Sequence, residues 1–225
     1  LIITKKVDED DQLLGFFIDW IKLLAQKFDK ITVFCLERGK FYLPDNVSVV
    51  SLGKDRNLPK LVWLFNFYKY IFRYKRQYDA VLVHMNPIWV ILGGHWWQIM
   101  RKKIFFWYTS GGVTIKLKLA EKFADTIFTA SSESFRLPSK KVIVTGHGID
   151  TELFKPTNDQ RPTTNDRIRI LSVGRISPVK NYETLIGAAK ILKNQNVEFS
   201  ITMIGEPALK KDKDYEQKLK SLISE

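Results

Sequence analysis

The chain has little of what most enzyme chemistries need: one cysteine and three histidines in 225 residues. A lone thiol, Cys35, cannot close an internal disulfide, and its place in the apolar run 31–36 marks it as an inert core residue in a reducing cytoplasm. Zinc-ligand spacing, a Ser-His-Asp set and a Walker loop are all missing, so hydrolase and nucleoside triphosphatase readings lack support. The longest nearly uncharged stretch, 86–100, is broken by Gly93, Gly94 and His95 and falls short of a bilayer span. The opening residues do not read as a signal peptide. Low-complexity runs are absent, and with 45% hydrophobic residues the chain can bury one large core or two smaller ones. Acid is scarce in one place: between Lys54 and Lys103 ten Lys and Arg face only Asp55 and Asp79, so much of the net charge of +12 is local.

What is present is alternation. Short apolar runs at 1–4, 31–36, 47–51, 80–84, 104–108, 126–130 and 142–144 read as strands, and helical periodicity fills 13–28, 58–74, 88–100 and 115–123. That order predicts an α/β fold with a doubly wound, Rossmann-like parallel sheet over residues 1–153. Residues 154–166, rich in proline, asparagine and threonine, read as a linker. A second α/β unit over 167–225 follows, with strands at 168–173 and 199–204, a helix behind Asn181 and a charged helix from about Asp212. Two strands and two helices bury little surface. We therefore expect the chain to be a piece of a longer protein, with this second domain incomplete.

The richest segment runs from Val173 to Ile186, where Gly174-Arg-Ile-Ser-Pro-Val-Lys-Asn-Tyr-Glu-Thr-Leu links strand to helix. Arg175 and Lys180 are cations in the turn, Asn181 is placed to cap the helix, and free N–H groups in its first turn would add a partial positive charge. The set suits a diphosphate. A second segment, Val142-Ile-Val-Thr-Gly-His-Gly-Ile-Asp-Thr-Glu-Leu-Phe154, places Gly146 and Gly148 in a turn where positive φ and close backbone approach are open to glycine. At these two segments the chain resembles the retaining GT-B glycosyltransferases of the "group 1" family. The resemblance implies a GT-B fold whose N-terminal, acceptor-side domain is followed by the start of a nucleotide-sugar-binding domain. It assigns Arg175 and Lys180 as the catalytic cations on the donor diphosphate, beside Gly174 and Asn181, with Gly146, His147 and Gly148 closing the first domain near the donor. It also implies retention, a nucleotide-diphosphate sugar as substrate, no cofactor and no metal, and a spaced glutamate pair further along the donor domain.

Loops at the carboxyl ends of parallel strands supply the remaining candidates. Gly15 ends the acidic loop 5–15, where the resembled family has a glycine loop near donor phosphate and acceptor; the loop's four acids lack ligand spacing and read as solvated. His84 and Asn86 end a strand and are expected to project into a cleft on the acceptor side. Ser110 stands after Tyr108-Thr109, where relatives commonly carry histidine, and a serine cannot do imidazole's acid-base work near neutral pH.

Residues 58–76 interleave Trp63, Phe65, Phe67, Tyr68, Tyr70, Phe72 and Tyr74 with Lys60, Lys69, Arg73, Lys75 and Arg76. One face must be core. The remainder is either ordinary surface or a contact with an anionic membrane; nucleic acid, the competing polyanion, has no motif here. The resemblance thus implies a cytoplasmic glycosyltransferase acting on a polysaccharide or lipid-linked sugar, at the membrane surface where residues 58–76 make that contact, with this piece expected to be inactive alone. The rival is a noncatalytic nucleotide-sugar or membrane-surface binding module.

Overall fold

The computed structural model describes residues 1–155 and 168–224. Two compact units emerge, Leu1–Thr151 and Glu152–Glu225; most of the expected linker, with residue 167, lies outside the described residues.

The first unit is a seven-stranded, wholly parallel sheet in the order β3-β2-β1-β4-β5-β6-β7. Its strands are β1 (Ile2–Val7), β2 (Ile31–Arg38), β3 (Val47–Ser51), β4 (Ala80–His84), β5 (Lys103–Trp107), β6 (Thr126–Thr129) and β7 (Val142–Val144). The helices are α1 (Phe17–Ala25), α2 (Lys60–Arg73), α3 (Pro87–Ile99) and α4 (Ile115–Phe123). Side chains alternate across each strand, which divides the core into two layers. Ile3, Phe34, Val81, Val83, Ile104, Phe106 and Ile127 pack with α2, α3 and α4. On the opposite face Ile2, Val33 and Cys35 pack with Phe17, Ile18 and Ile21 of α1. Cys35 is fully buried, and burial pushes its thiol up to about 12. Helix α1 begins later than periodicity suggests, because the Asp11 carboxylate accepts from the N–H groups of Leu13 (3.0 Å) and Leu14 (2.8 Å) and holds 12–16 in turns. The strand order reverses at β1 and β4, where a doubly wound sheet opens a crevice at its carboxyl edge.

The second unit pairs β8 (Ile168–Val173) in parallel with β9 (Phe199–Ile204). A one-turn 3-10 helix (Pro178–Lys180) leads into α5 (Tyr182–Asn194), and α6 (Lys210–Ser224) follows β9. Its core is small: Tyr182, Ile186, Tyr215 and Leu219.

Candidate functional site

The β8–α5 turn is built around a close approach of two strand ends. Gly174 donates its N–H to the Ile204 carbonyl (2.9 Å), and Gly205 adopts φ +156 directly opposite. A Cβ on Gly205 would fall 1.9 Å from the Gly174 oxygen, so only glycine fits this left-handed position. The Tyr182 ring, 4% exposed, reaches back to donate its hydroxyl to the same Gly174 oxygen at 2.9 Å. Ile176 N–H bonds the Glu206 carbonyl (3.1 Å). These contacts fix the turn that carries both cations. Arg175 Nε donates to Ser177 Oγ at 3.4 Å, with Ser177 only 3% exposed, and the Lys180 stem lies 3.7 Å from where a Gly174 Cβ would be. Among the described residues neither Arg175 nor Lys180 forms an ion pair.

The helix end differs from expectation. Asn181 sits at the N-cap position but adopts the left-handed conformation (φ 50, ψ 53), and its side chain makes no capping bond. The work is done from α6: the Tyr182 N–H donates to the Tyr215 hydroxyl (3.0 Å), and that hydroxyl in turn donates to the Glu183 carboxylate. Lys218 Nζ reaches the same carboxylate at 3.1 Å. The Tyr215 hydroxyl and the Glu183 main chain hold the Glu183 carboxyl below its usual range. An internal carboxylate therefore already neutralises the positive end of α5, which leaves Arg175 and Lys180 as the candidate anion-binding groups of this turn.

In the first unit the carboxyl edge is lined by aromatic rings, and His84 is part of that packing. It is 2% exposed instead of projecting outward, stacked on Phe17 (centroids 4.0 Å apart, 14° between planes), with Phe16 and Trp20 edge-on at 6.3 and 6.2 Å. Its Nδ1 hydrogen-bonds the Thr4 hydroxyl at 3.2 Å, while Nε2 is buried without a partner among the described residues. Burial lowers its pKa to about 4, so the ring is neutral at physiological pH. Asn86 is also turned to structure: its side chain accepts from the Ile88 N–H (3.1 Å) and caps α3, after Met85 bends the chain at φ 65. Neither meets the expectation of an outward-facing pair.

Ser110 is exposed, on a loop joined to that of β4 by the Thr109 hydroxyl donating to Met85 Sδ at 3.2 Å. Gly15 is explained within its own loop, since its N–H bonds the Asp11 carbonyl (2.8 Å) and a Cβ would press on the Glu9 and Asp11 carbonyls at 2.9 and 2.8 Å. Two of the acids there, Asp8 and Asp11, are held by Lys6 at 2.8 and 2.9 Å, and Asp10 pairs with Lys40 at 3.1 Å. Gly146 has φ 76 in an exposed turn with Gly148, whose φ lies outside the left-handed range, and His147 approaches Trp107 edge-on at 6.3 Å. Sequence reasoning missed Gly205, Tyr215 and the ring cluster of Phe16, Phe17, Trp20 and Trp107. A glycine directly after strand 199–204 was a usable signal for the first; Tyr215 acts across 33 residues and gave none.

A seven-stranded doubly wound parallel sheet followed by a second parallel α/β unit with a basic first turn defines a protein of the GT-B, Rossmann-like class. Residues 154–225 match the family model of glycosyl transferases group 1, so the second unit is similar to that family. Among solved structures, Anabaena Alr3699/HepE, determined in complex with UDP, superposes with a TM-score of 0.72 at 19% identity, covering 99% of this chain and 65% of that one. The lipopolysaccharide outer core galactosyltransferase WaaB gives 0.60 at 16%, covering 99% and 65%. Acinetobacter baumannii MurG gives 0.56 at 14%, covering 100% and 62%. At such identities the likeness is one of fold, and the chain spans less than two thirds of the length of these proteins. No curated protein matches it.

Proposed function

We propose that the protein containing this chain transfers a sugar from a nucleotide-diphosphate donor to a polysaccharide or lipid-linked acceptor, with retention at the anomeric carbon. The observation that carries this reading is a pair of cations, Arg175 and Lys180, without an ion pair among the described residues, on a turn fixed by the Gly174–Gly205 contact at the carboxyl end of a parallel strand. Breaking the sugar–phosphate bond leaves negative charge on the departing diphosphate, and cations already fixed in place stabilise it with little reorganisation. The match of residues 154–225 to the glycosyl transferases group 1 model supports the reaction class, and the UDP and UDP-glucose bound to the HepE structures support a nucleotide-sugar donor. Gly146, His147 and Gly148 are the further donor-side candidates, and the exposed Ser110 loop the acceptor-side one.

The test is turnover of uridine, guanosine and adenosine diphosphate sugars with a glycan acceptor, the product anomer being read by proton NMR. A product with the donor's anomeric configuration is expected. Inversion would remove retention, and turnover undiminished in Arg175→Ala and Lys180→Ala would remove the assigned roles. A specific observation keeps the noncatalytic binding module in view: the acceptor-side loop presents the exposed Ser110, which does no acid-base work near neutral pH, and the buried His84 does not supply it. Nucleotide binding without turnover would select that alternative.

A further inference from the structure

Helices α2 and α3 lie side by side and run in the same direction. The Tyr68 hydroxyl donates to the Leu92 carbonyl at 3.2 Å, and one turn later Phe72 meets Trp96 edge-on with centroids 5.1 Å apart. Beside this seam stands an exposed apolar strip. Leu61, Phe65 and Phe72 fall within about 40° of one another around α2, and Trp96 and Ile99 extend the strip over α3. Leu61 is 80% exposed, Phe65 66%, Ile99 60%, and Phe72 and Trp96 each 39%. Cations surround it: Lys60, Lys69 and Arg73 on α2, then Lys75, Arg76 and Arg101 just past the two helix ends. No acid occurs between Asp55 and Asp79. Among the described residues these six form no ion pair, whereas Lys54, Lys102 and Lys103 of the same basic segment are matched to Glu37, Asp79 and Asp125.

We propose that this face docks the first unit on a bilayer bearing anionic headgroups, the rings and branched chains entering the interface while the six cations meet lipid phosphates. Large apolar groups beside cations that form no ion pair among the described residues fit a lipid interface better than a nucleic acid. A base stacks on an aromatic face, and Leu61 and Ile99 offer none. The surface takes in α3 residues that lie outside the basic aromatic stretch in sequence. It is independent of the sugar-transfer reading, since it uses none of the β8–α5 turn.

Co-sedimentation with phosphatidylcholine vesicles, with and without phosphatidylglycerol, tests it at low and high salt. Binding is expected to need the anionic lipid and to weaken as salt rises. Replacing Lys69, Arg73 and Arg76 together by Gln should lower the partition coefficient about hundredfold, at roughly fivefold per cation. Phe65→Ser with Phe72→Ser should also weaken binding. A charge-matched control on α4, Lys116, Lys118 and Lys122 to Gln, should stay within about fivefold of the parent. All these positions are exposed, so the variants are expected to fold, which circular dichroism checks. Equal binding to both vesicle types, an equal loss in the α4 control, or tighter binding of a single-stranded oligonucleotide through Lys69, Arg73 and Arg76 would overturn the proposal.

Discussion

Strands β4 and β8 are both short, parallel and rich in branched residues, yet they end in different environments. Val81 and Val83 of β4 are fully buried beneath α2 and α3. Leu171 and Val173 of β8 are 62% and 70% exposed, and Ile204 beside them on β9 is 53% exposed. Parallel strands carry apolar residues on both faces because both are normally covered. In the second unit the described helices cover one. An apolar run therefore encodes a strand in either unit, while burial depends on how many layers are there to receive it. The candidate diphosphate turn stands on the lightly packed unit, held by specific hydrogen bonds more than by core volume.

That contrast can be broken at the first unit. Trp97, fully buried between α3 and the sheet, should cost about 3–5 kcal/mol as Trp97→Ala, seen as a lower denaturant midpoint for the first unit's transition. A loss under about 1 kcal/mol would show that the core tolerates voids and would weaken the contrast. Acid sharpens it next. His84 is pushed down to about 4 from 6.5, so between those values the unfolded chain binds more protons than the folded one. Stability is then full above pH 6.5 and is lost as pH falls toward 4, by on the order of 3 kcal/mol. Urea midpoints across that window should fall in the parent chain and flatten in His84→Gln; an equal slope in both would place the titration elsewhere.

In the second unit the effects should be smaller. Tyr215→Phe removes the acceptor of the Tyr182 N–H and a donor to Glu183, and should cost about 1–2 kcal/mol, with faster hydrogen exchange at the Tyr182 amide. Unchanged exchange would mean the cap is not formed in solution. Smallest of all, Leu171→Ser in this 225-residue chain should shift stability by no more than about 0.5 kcal/mol, where Val83→Ser costs severalfold more. Similar losses at both positions would erase the difference between the units.

The sequence carried the strands well because their signal is local: β3, β4, β7, β8 and β9 begin and end where the apolar runs do. Side-chain fates were less legible. His84 stands at a strand end, and its burial comes from Phe16, Phe17 and Trp20, more than sixty residues away in sequence. Asn86 and Asn181 occupy equivalent places before a helix, yet one caps and the other turns left-handed, because a tyrosine from α6 reached the second helix end first. The sequence places Arg175 and Lys180 between strand 168–173 and the helix after Asn181, and the structure has them there. The glycine contact that fixes their turn lies between strands, where periodicity along one segment carries no information.

Affinity for UDP and UDP-glucose, measured calorimetrically with the parent chain, Arg175→Ala and Lys180→Ala, tests the assignment of this turn most directly. On the proposed reading each cation makes charge-assisted bonds to diphosphate oxygens, so each substitution should weaken binding roughly tenfold to hundredfold with the fold intact. Nucleotide bound equally well by all three proteins would contradict it.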